Sequence, residues 1–372
     1  MKEKRKYTEK ECVCIAKREN NKKRKYLVAN RLQGKHIPSP PGETLRMFDA
    51  LAWKVARAYG GEELLLVGFA ETATAIGARL AAGLRCRYIQ TTRENIEGVE
   101  FFFFQERHSH AVEQKLAKTD MDRVYGSVRR IVFVEDEVTT GNTILGLVSV
   151  LQKTYGRGMA FAVASLVNGM DKEAEQEYAK QGIELHCLIK VAHCGYTQKA
   201  ESYKEDGVYH PFPKEEGGWS GIYQATGHMD ARRLVDGAAY QAACEALYGQ
   251  IRQWVWFEGK ERALVLGTEE FMYPAIYVAA RLEEEGCQVK CHSTTRSPIA
   301  VSAQEGYPLR ERYELHSLYE DGRRTFLYDL GKYDKTLLLT DSHNKSELGL
   351  REVCSHLHSC GNREIYVVRW QG

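Results

Sequence analysis

Hydrophobic and polar positions follow two patterns that alternate along most of this chain. Four segments of the first half are almost continuously apolar, which is typical of buried parallel strands: residues 63–68, 131–134, 159–167 and 183–191. Four others have a helical character, most of them with an apolar stripe on one face: residues 44–59, 75–83, 144–153 and 171–181. This alternation predicts an α/β fold with an open, mostly parallel sheet that binds its ligand at the carboxyl ends of its strands.

Three stretches depart from this pattern. Residues 12–16 and 26–29 predict a β-hairpin, and the basic residues between them predict a solvated loop, with nucleic-acid binding as the weaker alternative. Residues 30–42 are too rich in Pro and Gly for a regular element. Residues 196–227 are irregular and rich in Gly, Lys, Glu and aromatic residues, so we expect a domain boundary there.

The second half of the chain repeats the layout of the first. Residues 262–283 give an apolar strand, a Gly, an acidic turn and a helix with Ala-Arg-Leu, as residues 63–81 do. Thr-Thr-Arg follows in both halves and ends at Arg93 and Arg296, and a later apolar segment ends at Asp341. We therefore expect a second, divergent copy of the α/β unit. The expected division is a first domain at residues 1–195, a linker at 196–226 and a second domain at 227–372.

Composition adds few constraints. The chain has 372 residues, 43% of them hydrophobic and 27% charged, and a formal net charge of +2, so it has no overall attraction to nucleic acid. No apolar segment approaches the length of a membrane span, and no signal segment follows the basic N-terminus, so we expect a cytoplasmic protein. Its ten cysteines are scattered without zinc-site spacing, which favours buried thiols over a metal site.

The chemistry is concentrated after the apolar segment 131–134. Glu135 and Asp136 follow at its carboxyl end, and their carboxylates can accept hydrogen bonds from the hydroxyls of a ribose. A loop before the next helix follows, and its backbone amides and hydroxyls could hold a phosphate: Thr139, Thr140, Gly141, Asn142 and Thr143. This order fits a ribose 5-phosphate group. The alternative is an acidic strand end with a Thr N-cap, as in many α/β proteins.

This stretch resembles the motif of type I phosphoribosyltransferases that binds 5-phosphoribosyl 1-pyrophosphate (PRPP). The resemblance implies a Rossmann-like, mostly parallel sheet with a hood, followed here by a second α/β domain of similar layout. It implies catalytic roles for Glu135 and Asp136, 5-phosphate binding by residues 139–143, and Mg²⁺ bound together with PRPP. Glu137 departs from the general motif, which favours an apolar residue or Ser there.

The resemblance extends to other segments of the first half. It places a pyrophosphate-binding loop after the strand at 63–68, formed by Gly68, Phe69, Ala70, Glu71 and Thr72, although Thr72 could instead cap a helix. It gives Arg93 a contact with the pyrophosphate, for which a surface salt bridge is the alternative. It also predicts a flexible closing loop with Arg107, His108 and His110, although the two histidines could instead be metal ligands. Finally, it predicts a hood that contains Lys35 and His36, which could instead be ordinary loop residues.

Thr294-Thr-Arg-Ser-Pro298 completes a closer resemblance, to the two-domain PRTase-TRSP proteins encoded in bacterial tellurite-resistance and stress gene clusters. A glutamate at position 137 fits the pattern of that family. Arg296 and Ser297 could contact a ligand or form a rigid turn before Pro298. In place of the phosphate loop, the second half has Ser342-His-Asn-Lys-Ser-Glu347 without a Gly, so the same catalysis is not expected there, although this segment could still bind a polar group.

The expected function is therefore transfer of the phosphoribosyl group from PRPP to a nitrogenous, nucleobase-like small molecule, with release of pyrophosphate. The chain would act in a nucleoside-like metabolite or stress-response pathway. A sensor that binds PRPP or a nucleotide without chemistry, and an assembly component of a gene-cluster complex, are the alternatives. The acceptor, the role of the second domain and any homodimer stay open, and no membrane or nucleic-acid partner is expected.

Overall fold

The computed structural model describes residues 5–19, 24–104 and 114–372, which divide into two units. The first unit comprises Met1–Glu9, Arg46–His193 and Met229–Ala242, of which residues 1–4 and 105–113 are not described. The second comprises Lys10–Leu45, Cys194–His228 and Ala243–Gly372. This division differs from the predicted one, which followed chain order, because most of the N-terminal segment and the expected linker belong to the second unit.

The helices and strands agree closely with the two apolar patterns. The helices are α1 (Glu9–Cys12), α2 (Pro41–Tyr59), α3 (Thr74–Leu84), α4 (Lys118–Val124), α5 (Asn142–Tyr155), α6 (Lys172–Lys180), α7 (Tyr196–Ser202), α8 (Gly237–Trp254), α9 (Tyr273–Glu284) and α10 (Leu348–Ser359). The first nine strands are β1 (Val13–Lys17), β2 (Tyr26–Asn30), β3 (Leu64–Gly68), β4 (Arg87–Gln90), β5 (Phe101–Phe104), β6 (Gln114–Ala117), β7 (Arg130–Val138), β8 (Ala160–Asn168) and β9 (Glu184–Lys190). The others are β10 (Val208–His210), β11 (Gly221–Ala225), β12 (Val235–Asp236), β13 (Arg262–Gly267), β14 (Gln288–Ser293), β15 (Glu311–His316), β16 (Arg324–Tyr328), β17 (Lys335–Thr340) and β18 (Glu364–Trp370).

The first unit is built on a six-stranded sheet with the order β12-β4-β3-β7-β8-β9. All neighbours are parallel except the short β12, which is antiparallel to β4. The apolar residues of β3 and β7 are fully buried, as expected for strands covered on both faces. This arrangement gives the open, mostly parallel sheet that was predicted, and it brings the carboxyl ends of β3, β4 and β7 to one edge.

An antiparallel hairpin of β5 and β6 also belongs to the first unit. Its pairing runs from Phe101 opposite Ala117 to Phe104 opposite Gln114. A backbone bridge between Thr92 and Lys115 joins this hairpin to the chain just after β4, with both N–O distances at 2.9 Å. The hairpin is therefore anchored beside the end of β4.

The second unit has a five-stranded, entirely parallel sheet with the order β14-β13-β17-β18-β11. Its strand β11 lies inside the expected linker, which also contains α7 and β10. The prediction that residues 196–227 are irregular therefore missed these three short elements. Strand β11 is only five residues long, and its first four residues alternate between partly buried and exposed positions, so they give no continuous apolar signal.

The two sheets share a strand order. In each, the first strand of the α/β series lies between the second and the third, and a fourth and a fifth strand follow on the far side of the third. Each unit also has an antiparallel hairpin between its second and third sheet strands, β5–β6 in the first and β15–β16 in the second. The prediction of a second α/β domain of similar layout is confirmed. The fifth strand of the second unit, β11, precedes the others in the chain.

The N-terminal hairpin packs within the second unit. Strands β1 and β2 pair antiparallel from Val13 opposite Asn30 to Lys17 opposite Tyr26, as predicted. Ala16 and Leu27 are buried in one apolar cluster with Ile299 and other residues of the second unit. This long-range packing, which a local sequence pattern does not encode, explains why the hairpin does not belong to the first unit.

None of the helices in the described part of the chain has both the length and the apolar character that a membrane span requires. Six of the ten cysteines are buried, and all ten are free thiols. Burial raises the pKa of Cys14 to about 11, although Arg31 and Lys199 oppose this effect. The cysteines of the interior therefore stay protonated at neutral pH.

Candidate functional site

The central strand of the first unit carries the acidic residues to the sheet edge. Strand β7 is buried from residue 131 to 134 and then continues through Glu135, Asp136 and Glu137, which are partly buried. The strand lies between β3 and β8, so these carboxylates stand at the middle of the edge formed by the carboxyl ends. The structure therefore places the predicted ribose-binding pair where ligands bind in open α/β sheets.

The turn after β7 has the geometry that a phosphate loop needs. Thr139 and Thr140 form a bend, and Gly141 has a φ of 70°, in the left-handed region that glycine adopts without strain. Helix α5 begins at Asn142, and its first helical bond runs from the Leu145 amide to the Gly141 carbonyl at 3.0 Å. The amides of residues 142–144 therefore lie at the helix N-terminus without intrahelical partners, where the helix dipole attracts an anion.

Tyr178 supports this turn from α6. Its hydroxyl donates to the Gly141 carbonyl at 3.0 Å, and a Cβ at position 141 would overlap the Tyr178 ring. Burial, and then the nearby Glu135 carboxylate, raise the pKa of Tyr178 above its ordinary value, so the hydroxyl stays a donor. The turn is thus held in one shape, and only glycine fits at its closest point of approach.

The predicted pyrophosphate loop is tied directly to the acidic pair. The Phe69 amide donates to the Val134 carbonyl at 3.0 Å, which continues the pairing of β3 with β7 beyond Gly68. The Thr72 hydroxyl donates to Oδ1 of Asp136 at 2.7 Å. Because β3 and β7 are neighbours, the structure brings the two predicted elements into contact, although Thr72 and Asp136 are 64 residues apart in sequence.

The chain after β4 joins the other side of this loop. The Thr91 amide donates to the Gly68 carbonyl at 2.9 Å, and the Thr91 hydroxyl accepts from the Ala70 amide at 2.8 Å. Arg93 follows two residues later and is partly buried. Arg107, His108 and His110, the predicted closing loop, lie outside the described residues, between β5 and β6. Their roles, like that of Arg93, stay predictions.

Sequence reasoning missed His193, which follows β9. Its Nε2 lies 2.9 Å from Oε1 of Glu137, and the two side chains are 17% and 8% exposed. The only sequence signal was the unusual carboxylate at position 137, because a lone His in the segment after a strand carries no motif. The pairing depends on the neighbouring positions of β7, β8 and β9, which the sheet order supplies.

Two family models match this chain in succession. A phosphoribosyl transferase model, PRTase_2, matches residues 12–196, and a model described as the TRSP domain C-terminal to PRTase_2 matches residues 233–357. The chain belongs to the PRTase_2–TRSP family. The order of the two matches is the one that the sequence motifs predicted.

Three solved structures illustrate the similarity of this chain to other proteins, each at low sequence identity. Adenine phosphoribosyltransferase from Rhodothermus marinus has 12% identity and a TM-score of 0.37, covering 49% of this chain and 96% of that one. The Saccharomyces cerevisiae adenine enzyme has 12% identity and a TM-score of 0.35, covering 48% and 95%. Orotate phosphoribosyltransferase from Aeropyrum pernix has 18% identity and a TM-score of 0.31, covering 52% and 94%. No curated protein matches.

In the TRSP domain, the Arg of the Thr-Arg-Ser-Pro segment is bonded internally. Nε of Arg296 donates to Oε2 of Glu269 at 2.5 Å, and its Nη2 lies 3.7 Å from Oε1 of Glu270. Both carboxylates are buried, and Arg323 lies 3.5 Å from Glu269. The Ser297 amide donates to the Thr295 hydroxyl at 3.2 Å, and the Ser297 carbonyl accepts from Tyr328. These contacts agree with the rigid-turn alternative for Ser297.

The two predicted hood residues contact this same part of the second unit. Nζ of Lys35 is fully buried and donates to the carbonyls of Glu269 and Thr294 at 2.7 and 2.8 Å. Nε2 of His36 lies 3.5 Å from the Thr295 hydroxyl. A role in covering an acceptor stays a prediction, whereas the observed contacts stabilise the loops after β13 and β14.

The segment that follows the central strand β17 of the TRSP domain differs from the segment that follows β7. Asp341 follows β17, accepts from the Tyr319 hydroxyl at 2.6 Å and lies 3.6 Å from Nε2 of His228. Residues 342–347 then separate it from α10, whereas three residues separate β7 from α5. As the sequence predicted, this domain therefore lacks the short glycine turn of the PRTase_2 domain.

Proposed function

We propose that the first unit binds PRPP and transfers its 5-phosphoribosyl group to a nitrogen atom of a small heterocyclic acceptor, with release of pyrophosphate. The observation that carries this proposal is the 2.7 Å hydrogen bond from Thr72 to Asp136. It connects the predicted pyrophosphate loop to the acidic pair, immediately before the glycine turn. A ligand with a phosphate at one end, a diol in the middle and a diphosphate at the other end matches these three elements in order.

Each element has a separate task. The backbone of residues 139–143 holds the 5-phosphate, which does not react, and so fixes the orientation of the ribose. Glu135 and Asp136 accept from the ribose hydroxyls and lie near the positive charge that develops on the sugar as its bond to pyrophosphate breaks. The loop from Gly68 to Thr72 and the Arg93 side chain stabilise the departing diphosphate through amide donors and a positive charge.

The carboxylates at this edge fit a magnesium ion bound together with PRPP. Mg²⁺ prefers oxygen ligands, retains several waters and is usually held by one or two carboxylates together with substrate phosphates. Asp136 and Glu135 supply such carboxylates at the sheet edge, and no group of three or more described His, Cys, Asp or Glu side chains forms a cage of its own. When bound, the ion neutralises part of the diphosphate charge.

Substitution of Asp136 tests this proposal. In D136N, pyrophosphate release from PRPP with a panel of nucleobases should fall by at least ~100-fold, because the amide cannot stabilise the positive charge. D122N is the matched control: Asp122 is on the surface of α4, where it pairs with Lys118 at 2.9 Å, and its loss should leave turnover unchanged.

Calorimetry with PRPP and Mg²⁺ separates the alternatives. Binding by the wild type together with turnover supports the enzyme. Tight binding without turnover of any base supports a sensor. No binding would reject both and leave an assembly role.

A further inference from the structure

We infer that Glu137 and His193 form the acceptor side of this site, where His193, oriented by Glu137, takes the proton that the acceptor nitrogen loses as it bonds to the ribose. This inference rests on the proposed function and names its acceptor class, a heterocycle whose attacking ring nitrogen carries a hydrogen.

The position of Glu137 is the first argument. It lies two residues after Glu135 on β7, so the two side chains are on the same face of the sheet, about 7 Å apart along the strand. Its carboxylate is 8% exposed and lies 2.9 Å from Nε2 of His193. A buried carboxylate beside an imidazole, next to the ribose-binding pair, is a common arrangement for proton transfer.

The path of the chain to His193 is the second argument. Strand β9 ends at Lys190, and β8 separates it from β7, so the imidazole must cross the end of β8 to reach Glu137. It does so above Gly169, where a Cβ would overlap the ring. His193 itself has a φ of 54°, which is unusual for a residue other than glycine. The backbone thus holds the imidazole over the edge where the ligand binds.

The chemistry of the neighbouring loop is the third argument. The side chains of residues 139–143 are threonines, a glycine and an asparagine, none of which takes up a proton near neutral pH. Asp136 accepts from Thr72 and is assigned to the ribose. His193 is the side chain suited to this task, because an imidazole can take up a proton and its Nε2 lies 2.9 Å from the Glu137 carboxylate.

The step balances. The acceptor nitrogen forms a bond to the anomeric carbon, the bond from that carbon to the pyrophosphate oxygen breaks, and its electron pair leaves with pyrophosphate. The N–H proton moves to His193 and then to solvent. Acceptors whose ring nitrogen has a lone pair but no hydrogen, such as pyridine carboxylates, need no such base, so purines and pyrimidines with a ring N–H should be preferred.

Chemical rescue tests this role. We expect H193G to lower kcat with a purine or pyrimidine acceptor by about 100-fold, as for the loss of a general base, while the Kd for PRPP changes less than about 3-fold. Glycine adopts the φ of position 193 readily, so the fold should be retained. Added imidazole should restore much of the rate. In E137Q/H193G the rescue should be weaker, because the imidazole is no longer oriented.

The matched control is H186A. His186 lies on the same strand, β9, and its Nε2 is 2.7 Å from the Tyr59 hydroxyl, so this variant should keep wild-type kcat and show no response to imidazole.

The outcomes separate this inference from the proposed function. A wild type that does not bind PRPP overturns the proposed function and this inference with it. PRPP binding with normal kcat in H193G, or a loss of kcat that imidazole does not restore, overturns only the inference. PRPP binding without turnover of any acceptor supports the sensor and overturns both, whereas turnover only of acceptors without a ring N–H overturns the acceptor class alone.

Discussion

The two units share a sheet order and differ in the loops at the carboxyl ends of their strands. Two hydrogen bonds that join the first loop to the second sheet strand of each unit are equivalent. The amides of Thr91 and Thr294 donate to the carbonyls of Gly68 and Gly267 at 2.9 and 3.2 Å. The hydroxyls of these threonines accept from the amides of Ala70 and Glu269 at 2.8 and 2.9 Å. Position 70 in the first unit therefore corresponds to position 269 in the second.

The side chains at the equivalent positions 70 and 269 differ in charge. Ala70 adds no charge to the loop, and Arg93 follows it at the strand end. In the second unit, Glu269 stands in place of the alanine and binds Arg296, which corresponds to Arg93. A diphosphate would have to displace this carboxylate and would be repelled by it. The proposed diphosphate loop of the first unit thus has an internal ion pair as its counterpart in the second, although both loops keep the two bonds to the following threonine.

The strands of the two units agree more closely than the loops that follow them. Apolar strands such as β7 and β17 are buried in both units and specify the same sheet order. The glycine turn that follows β7 is absent after β17. The predictions below test whether these few loop residues account for the difference.

We expect the largest effect at Gly141. In G141A the new Cβ overlaps Tyr178 and requires an unfavourable φ, so the turn must open and several phosphate hydrogen bonds are lost. The loss should be about 4 kcal/mol, or ~1,000-fold in the Kd for PRPP measured by calorimetry. G156A is the control, since Gly156 also has a positive φ, at the other end of α5, with no atom near its added Cβ. An equal loss of PRPP affinity in G141A and G156A would contradict this role of the turn.

The second prediction compares the two equivalent arginines. R296A leaves the buried carboxylates of Glu269 and Glu270 without their main partner, which should destabilise the second unit by about 3 kcal/mol. Hydrogen exchange of the β13 and β14 amides measures this change, because a chain of two units need not unfold in one step. R93A should instead weaken PRPP binding about tenfold and change stability by less than ~1 kcal/mol. If R93A destabilised the first unit and left PRPP binding unchanged, or if R296A left the exchange of the β13 and β14 amides unchanged, these roles of the two arginines would be wrong.

The third prediction transfers the carboxylate from one loop to the other. A70E should neutralise Arg93 and repel the diphosphate, and it should weaken PRPP binding by about 100-fold, or ~2.8 kcal/mol. A70S adds a small polar group without charge and should change the Kd by less than about 3-fold. If A70E binds PRPP as the wild type does, this loop is not the diphosphate site.

The smallest effect concerns acid stability. His292 on β14 is fully buried, and in the first unit the equivalent position is Ile89. Burial, and then Lys35, lower the pKa of His292 from 6.5 to about 3. His292 therefore binds a proton more readily in the unfolded chain than in the folded one. Its contribution to the free energy of unfolding is fully present above pH 6.5 and declines as the pH falls toward 3, by about 2 kcal/mol at pH 5. H292L should lose less stability than the wild type between pH 7 and 5 in urea unfolding. An unchanged pH dependence would contradict this assignment.

Local patterns predicted most of the strands and helices and the main elements of the candidate site. The apolar run before Glu135 specifies β7, and the glycine turn follows from residue types alone. The rest depends on contacts distant in sequence. Strand β11 is too short and too exposed to give a continuous apolar run, the N-terminal hairpin joins the second unit through packing with Ile299, and His193 reaches Glu137 only because of the sheet order.

The most direct test of the central claim is a crystal structure of the full chain with PRPP and Mg²⁺. We predict that the 5-phosphate oxygens lie about 3 Å from backbone amides of residues 139–143, with the ribose hydroxyls at Glu135 and Asp136. A 5-phosphate bound at residues 342–347, or carboxylates of Glu135 and Asp136 that do not contact the ribose, would contradict it.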